Sequence, residues 1–350
     1  MQAIVKAAPE QGIEVRDVAE PQIGPDQVCV QVRAAAICGA DLKLYKWDPQ
    51  TVRNWPRLRD MQLPHVIGHE VAGQVVETGN NVRDLKIGDH VAAETHFPCL
   101  VCDLCRSDRM HLCPQRKILG FDTAGGFAQY LALPQQCAVK LPDGLSFEAG
   151  ALCEPFGVAT HAIEQAGSVQ GRTAWVVGCG SIGLFIVKLL VGRGAKTVLA
   201  TDTQPARLDW AKKLGATVVP ASEGVAEQVL QMTGGRGAEL AFEVVGSTAT
   251  VQQVLAAVAP RGRVMLVGTF GGMTPVDVAA NIIYREATVC GVYGRHMFDT
   301  WNNVFDTLSS GKVDLQPFMT SRFGFSQAKE AFETALSGVG VKTLLYPDTD

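Results

Sequence analysis

Regular alternation of strand-like and helix-like segments between about residues 173 and 295 constrains the fold of this chain more than any other feature. Short apolar runs separated by helical stretches carry the pattern: TAWVVGCG, KTVLATD, ATVVPA, LAFEVVG, GRVMLVG and TVCGVYG. Strands that alternate with helices pair in parallel, because each helix carries the chain back to the end of the sheet at which the previous strand began. We therefore predict an α/β fold with a doubly wound parallel sheet in this region.

The first 150 residues show a different pattern, in which short β-rich runs are separated by Gly, Pro and Asp turns. Examples are QVCVQVRAAAI, EVAGQVVETG, DHVAAE, QYLALP and CAVKLP. A chain of 350 residues exceeds the size at which one core keeps growing, so two domains are expected. The late run VKTLLYP resembles a strand, and the pattern alone leaves open whether it returns to the first domain.

Charge and hydropathy favour a small-molecule ligand. The chain has 31 Lys and Arg against 35 Asp and Glu, a net charge of −4, and no basic block. This argues against nucleic acid or an anionic membrane as partner. No segment has the run of about 18 apolar residues that a membrane span requires, and MQAIVKAAPEQGIEV resembles a strand rather than a signal peptide. A cytoplasmic protein is expected.

A glycine-rich turn predicts a dinucleotide site. Gly178, Gly180 and Gly183 follow one strand and open a helix, which is the arrangement that lets backbone approach a pyrophosphate. Asp202 ends the next strand, about 20 residues further on, where a carboxylate accepts hydrogen bonds from ribose hydroxyls. It would repel the 2′-phosphate of NADP, so NAD is the predicted cofactor. Arg207 is the contrary signal, since a nearby arginine can accept that phosphate.

Four cysteines form a C-x2-C-x2-C-x7-C loop: Cys99, Cys102, Cys105 and Cys113. Thiolates so close in sequence repel one another unless a cation neutralises them, and four sulfur ligands complete a tetrahedral zinc. We predict a structural zinc site, with an iron–sulfur cluster as the alternative. His111, within the loop, is interpreted as a packing or surface residue. A chain of this size needs no disulfides, and reduced thiolates that bind metal explain the cysteines better.

A second ligand set is dispersed along the chain. Cys38, His69, Glu70 and Glu154 together supply a thiolate, an imidazole and carboxylates. A zinc held by such a set keeps a position for water or substrate, as catalytic zinc requires. Taken alone, a Cys or His is more often a packed core residue than a metal ligand. The motifs around them decide the interpretation.

The motifs ICGAD, GHEVAGQVVETGNNV, IGDHV, the cysteine loop and VVGCGSIG, in this order, resemble the zinc-dependent medium-chain alcohol dehydrogenases. Within that family, AICGAD, ETHFPC and GVYGRHMFDTW are most similar to motifs of threonine dehydrogenases, and polyol and butanediol dehydrogenases share most of the rest. The resemblance implies a GroES-like catalytic domain over residues 1–157 and 297–350 and a Rossmann domain over residues 158–296. It also implies a homotetramer or homodimer.

The resemblance implies roles for individual residues. Cys38 and His69 match zinc ligands, and Glu70 the carboxylate beside them. Glu154 matches an acid that either binds zinc or transfers protons, and Asp41 a carboxylate that orients the ligating histidine. Positions that contact NAD in the family are Ile182, Asp202, Arg207, Val267, Gly268, Thr269, Val292 and Tyr293. His96 matches an active-site histidine of threonine dehydrogenases, and an ordinary loop histidine is the alternative.

One departure from the family concerns proton transfer. The family pattern C-G-T/S-D-x-H carries a hydroxyl and a histidine that relay the alcohol proton, whereas this chain has Ala40 and Lys43 at those positions. Another group must then serve, and the candidates are Glu154, Glu70, Lys43 and His96. A longer segment before His65 also carries arginines that could meet an acidic substrate group or simply be solvated: Arg53, Arg57 and Arg59.

These observations predict an enzyme that passes hydride from a secondary alcohol to NAD. Its substrate is a small molecule: an L-threonine-like amino alcohol, a diol or a polyol. The alternatives are a polyol or polyol-phosphate dehydrogenase and an NAD-binding module with little activity. A zinc-free reductase of the quinone-reductase branch is disfavoured, because Cys38, His69 and the cysteine loop are present. Two zinc ions per subunit are expected, one catalytic and one structural.

Overall fold

The computed structural model describes residues 1–348, which form two compact units. Unit 1 comprises Met1–Pro155 and Asp314–Asp350, and unit 2 comprises Phe156–Val313. The chain therefore leaves the first unit inside one long helix and returns to it near its end, which the sequence pattern left open. The return falls later than residue 297, where the resemblance placed it.

Residues 297–313 belong to unit 2 because their side chains bond within that unit. Thr300 Oγ1 donates to Glu164 Oε2 at 2.9 Å, and Asn303 Nδ2 donates to Glu164 Oε1 at 2.7 Å. Trp301, in the same segment, is almost fully buried. Apolar spacing predicted this helix, but no local pattern shows which unit it packs against.

Unit 1 is rich in short strands, as predicted. They are β1 (Gln2–Lys6), β2 (Glu14–Asp17), β3 (Gln27–Ala36), β4 (His65–Val66), β5 (Glu70–Thr78), β6 (His90–Ala93), β7 (His96–Phe97), β8 (Lys117–Ile118), β9 (Tyr130–Pro134) and β10 (Ala138–Lys140), joined by β17 (Met319–Gly324) and β18 (Lys342–Tyr346). The largest sheet has the order β10-β6-β5-β3-β18-β17, with β9 also paired to β3. Strand β18 pairs antiparallel with β3, so the terminal run VKTLLYP completes the first unit.

Helices of unit 1 are mostly short and connect the strands. They are α1 (Gly39–Lys46), α2 (Pro49–Asn54), α3 (Pro56–Arg59), α4 (Asp103–Arg106) and α11 (Ala328–Ser337). Helix α5 (Phe147–Ala166) contains the boundary between the units. The core of unit 1 is aliphatic and aromatic, and α11 contributes Ala328, Ala331 and Phe332 to it.

Unit 2 contains the predicted parallel sheet. Its strands are β11 (Thr173–Val177), β12 (Thr197–Thr201), β13 (Thr217–Val218), β14 (Ala238–Glu243), β15 (Val258–Leu266) and β16 (Thr288–Gly291). Its helices are α6 (Ser181–Gly192), α7 (Pro205–Lys213), α8 (Val225–Met232), α9 (Thr248–Ala256) and α10 (Asp299–Ser309). The strand order is β13-β12-β11-β14-β15-β16, and all neighbouring strands are parallel. From β11 the chain builds the sheet first to one side, through β12 and β13, and then to the other, through β14, β15 and β16. Ligands bind at such a switch point in sheets of this kind. None of the helices within residues 1–348 has the length and apolar character to cross a bilayer.

Candidate active site and metal centres

The four-cysteine loop is folded into a tight cluster. Sulfur–sulfur distances are 3.4 Å between Cys102 and Cys105, 3.8 Å between Cys102 and Cys113, and 3.9 Å between Cys99 and Cys105. A tetrahedral zinc with bonds of about 2.3 Å places its sulfurs about 3.8 Å apart. Backbone hydrogen bonds from Val101 and Cys102 lower the pKa of the Cys99 thiol to about 6, which favours the thiolate. The cluster therefore fits one tetrahedral ion with no open position.

A second cluster joins residues that are far apart in the first third of the chain. The ligand atoms of Cys38, His69 and Glu70 all lie within 4.8 Å of one another. Cys38 follows β3 as the N-cap of α1, and His69 precedes β5. Gly68 makes this approach possible, because its φ is +95° and a Cβ there would lie 2.2 Å from the Phe127 ring. One sulfur, one nitrogen and one carboxylate oxygen fit a zinc that retains a position for substrate.

Asp41 lies beside both Cys38 and His69. Its Oδ2 accepts a hydrogen bond from the Cys38 backbone N–H at 2.9 Å, and its Oδ1 lies 3.5 Å from His69 Nδ1. Burial opposes protonation of His69, but the charges of Asp41 and Cys38 outweigh it and raise the pKa of the imidazole well above its ordinary value. A fully buried carboxylate behind the ring leaves Nε2 as the nitrogen suited to a metal.

Glu70 is paired with a lysine from the end of the chain. Lys342 Nζ donates to both carboxylate oxygens of Glu70, at 2.5 Å for Oε1, and to the Ile37 carbonyl at 3.1 Å. Both side chains are almost completely buried. Burial raises the pKa of Glu70 to about 7, although the charge of Lys342 opposes the shift. The carboxylate beside Cys38 and His69 is therefore held by Lys342 in a buried ion pair.

Glu154 and His96 lie on a neighbouring network. Among the described residues, the group whose ligand atoms lie close together contains Cys38, His69 and Glu70 but not Glu154, which was also predicted as a possible ligand. Its Oε1 accepts a hydrogen bond from Thr95 Oγ1 at 2.9 Å, and its charge contributes to the raised pKa of Glu70. His96 is buried, and its Nδ1 lies 2.8 Å from Glu94 Oε1. Glu154 and His96 are therefore buried side chains with defined polar contacts.

The glycine-rich turn follows β11 in unit 2. Gly178 has a φ of +97°, and a Cβ on Gly183 would lie 1.8 Å from the Gly178 carbonyl oxygen, so helix α6 packs closely on the turn. A Cβ on Gly180 would meet nothing within 4 Å. The open space lies at the helix N-terminus, where backbone N–H groups favour an anion. Each glycine has the environment that a pyrophosphate-binding turn needs.

Asp202 links the glycine-rich turn after β11 to the turn after β12. Its Oδ2 accepts from the Cys179 backbone N–H at 2.7 Å and its Oδ1 from the Gln204 N–H at 2.8 Å. Arg207 Nη1 lies 3.8 Å from Oδ2. A carboxylate offers about four lone-pair directions, so these bonds fix Asp202 and still leave acceptor capacity. The remaining predicted cofactor contacts lie at the start of α6 or just after β15 and β16: Ile182, Val267, Gly268, Thr269, Val292 and Tyr293.

Comparison with known proteins agrees with this geometry. Residues 24–143 match the alcohol dehydrogenase GroES-like domain, and residues 181–310 match the zinc-binding dehydrogenase family. L-threonine 3-dehydrogenase from Pyrococcus furiosus is 38% identical over 341 residues, covering 97% of this chain and 96% of the relative. The chain belongs to the zinc-dependent medium-chain alcohol dehydrogenases. The expected enzyme class and the GroES-like and Rossmann folds are thereby confirmed.

Solved dehydrogenases share the fold across the whole chain. An alcohol dehydrogenase from Thermus sp. ATN1 has a TM-score of 0.90 and 28% identity, covering 99% of this chain and 100% of the other. Galactitol-1-phosphate dehydrogenase from Escherichia coli has a TM-score of 0.88 and 27% identity, with the same coverage. The similarity extends to enzymes with different alcohol substrates, so the fold does not identify the substrate of this dehydrogenase.

The positions that depart from the family differ in their exposure to solvent. Lys43 is exposed on α1 of the dehydrogenase. Ala40 is half-buried and packs against the core of unit 1. Arg57 is ion-paired with Asp122, and Arg59 bonds Asp60. Arg53 is exposed at the end of α2.

Several buried charged residues of the dehydrogenase are not indicated by the sequence patterns. Lys342 is one of them, and Glu243, at the end of β14, is another. Glu243 Oε1 accepts from the backbone N–H groups of Val245 at 3.0 Å and Gly246 at 2.9 Å, and from Thr250 Oγ1 at 2.7 Å. It thereby orders the turn that follows β14. The signal in both cases was a charge in an otherwise apolar strand, which burial would force into a partnership.

Proposed function

We propose that this dehydrogenase oxidises a secondary alcohol by transferring hydride to NAD, and that the alcohol is an amino alcohol, diol or polyol. The cluster of Cys38, His69 and Glu70 within 4.8 Å carries the proposal, because it combines a metal-binding donor set with buried supporting carboxylates. The similarity to an L-threonine 3-dehydrogenase supports an amino alcohol. A cytoplasmic location and a homotetramer or homodimer remain predictions, and sedimentation equilibrium tests the assembly.

The residues of unit 1 have separable tasks in this reaction. Cys38 and His69 bind the catalytic zinc, with Glu70 or Glu154 as the carboxylate ligand, and Asp41 orients the first two. Zinc held in this way supplies a Lewis acid that favours loss of the alcohol proton near neutral pH. The four-cysteine loop binds the structural zinc. Lys342 keeps the Glu70 carboxylate fixed beside the site.

A polyol phosphate is the second candidate substrate, supported by the similarity to galactitol-1-phosphate dehydrogenase. The pairing of Arg57 with Asp122 argues against it, because a guanidinium whose charge is already compensated attracts phosphate less. The test is NADH formation with threonine, 2,3-butanediol, common polyols and their phosphates. NADH formation with none of them would leave an NAD-binding module as the better description.

Asp202 is expected to set cofactor choice. The wild-type enzyme should prefer NAD over NADP in kcat/KM by at least about tenfold, or roughly 1.4 kcal/mol, because the carboxylate repels a 2′-phosphate. Asp202→Ser should reduce that ratio toward one, while Asp209→Ser, which removes an exposed carboxylate from α7, should leave it unchanged. Equal efficiency of the wild-type enzyme with both cofactors would show that Asp202 does not read the ribose.

Proton transfer is assigned to Glu154 and His96, because Ala40 has no hydroxyl. Glu154→Gln and His96→Ala should each lower kcat by about tenfold or more, in line with loss of general-base assistance. Lys43→Ala should act mainly on KM, since the exposed side chain of Lys43 can contact a charged group of the substrate. Lys46→Ala, on the same helix, is its control. Loss of activity and of the basic pH limb in Lys43→Ala, with the other two variants silent, would instead make lysine the base.

A further inference from the structure

Glu94 is a buried acid to which the proposed mechanism assigns no task. It follows β6, its side chain is fully buried, and its backbone N–H donates to the Cys137 carbonyl at 2.8 Å. One carboxylate oxygen, Oε1, makes two contacts with the same residue. It accepts a hydrogen bond from the His96 backbone N–H at 2.8 Å, and it lies 2.8 Å from Nδ1 of the His96 ring.

The contact between Glu94 and His96 bears on the tautomer of the imidazole ring as well as on its position. An ionised carboxylate can only accept hydrogen bonds, so a neutral His96 must carry its hydrogen on Nδ1 and its lone pair on Nε2. The backbone contact to the same oxygen ties the carboxylate to the chain that bears the ring, which limits rotation of both side chains. The intervening Thr95 donates to Glu154, so the second proposed proton-transfer group is anchored in the same three-residue segment.

We propose that Glu94 is a positioning residue that holds His96 in the Nδ1–H tautomer, which makes Nε2 the acceptor of the proton that the substrate alcohol loses. The inference rests on the proposed function, in which His96 takes part in proton transfer. A carboxylate in this place also stabilises the imidazolium that forms when the ring accepts the proton. The arrangement compensates for the missing hydroxyl at Ala40 with a histidine whose tautomer is set by its neighbour.

The kinetic test is a double-mutant cycle on the zinc-loaded enzyme. Glu94→Gln should lower kcat by about tenfold with little change in KM, since it removes orientation and charge stabilisation but not substrate contacts. In a His96→Ala background the same substitution should cost almost nothing more, because the two residues act as one unit. Glu77→Gln, an exposed site on β5, is the matched control and should be silent. An additive loss in the double variant would make Glu94 a structural brace and overturn the proposal.

The second test needs neither substrate nor activity. In protein labelled with ¹⁵N in its histidine rings, the His96 resonances are identified by their loss in His96→Ala. The neutral wild-type ring should show a protonated Nδ1 and an unprotonated Nε2. The Nε2–H tautomer would overturn the inference. Since this measurement is independent of turnover, it separates failure of the tautomer assignment from failure of the proposed alcohol oxidation.

Discussion

Cys38→Ser is expected to lower kcat by at least about a thousandfold, or roughly 4 kcal/mol of transition-state stabilisation. A serine hydroxyl is a far weaker zinc ligand than a thiolate, and the two groups left in the cluster, His69 and Glu70, do not make up the loss. Glu70 is engaged by Lys342 and has little freedom to strengthen its contact with a metal. Elemental analysis of the variant should then find one zinc per chain in place of two. Its circular dichroism spectrum should match that of the wild-type protein, which would show that the fold is retained.

Cys102→Ser provides the matched comparison, because it removes one thiolate from the other cluster. It should lower zinc content by the same amount but act mainly on stability. The sulfurs of the loop from Cys99 to Cys113 lie 3.4–3.9 Å apart, and thiolates at that distance repel one another without a cation. Two zinc ions and normal turnover in Cys38→Ser would remove that residue from the catalytic site. Freshly purified wild-type protein that contains no zinc would refute both assignments.

Lys342→Met is expected to cost about 3–5 kcal/mol of folding stability, the usual penalty for removing one partner of a buried ion pair. Glu70 would be left buried without its counter-charge, and the Ile37 carbonyl would lose its donor. The measurement is the shift in the thermal or denaturant midpoint of the holoenzyme. Lys329→Met is the control, because that lysine is 80% exposed and its pair with Glu333 is at the surface.

The double variant Lys342→Met/Glu70→Met separates the ion pair from simple packing. Replacing both charges with apolar groups should recover much of the lost stability, since no uncompensated charge remains. Activity should not recover, because the carboxylate beside Cys38 and His69 is gone. Equal midpoints for Lys342→Met and Lys329→Met would show that the pair contributes nothing to stability.

Local sequence patterns account for most of the fold. The β/α alternation in unit 2 and the short β runs in unit 1 are present as predicted, because hydrophobic periodicity and turn residues act over a few positions. The glycine turn at Gly178 and the cysteine loop could likewise be recognised, since each cluster is made by residues close together in sequence. The final strand and the helix at Asp299–Ser309 were recognised as elements but not assigned to a unit by pattern.

The sequence by itself determined the two folds and the four-cysteine loop, and its family motifs predicted that Cys38 and His69 act together. Only the tertiary structure showed that Lys342 meets Glu70 across 272 residues of chain, and that Glu94 holds the His96 ring. The physical reason is that buried charges are satisfied by whichever partner the packing brings near. Spacing along the chain encodes turns, caps and cysteine loops, whereas the pairing of strand β18 with β3 decides which charge lies beside Glu70.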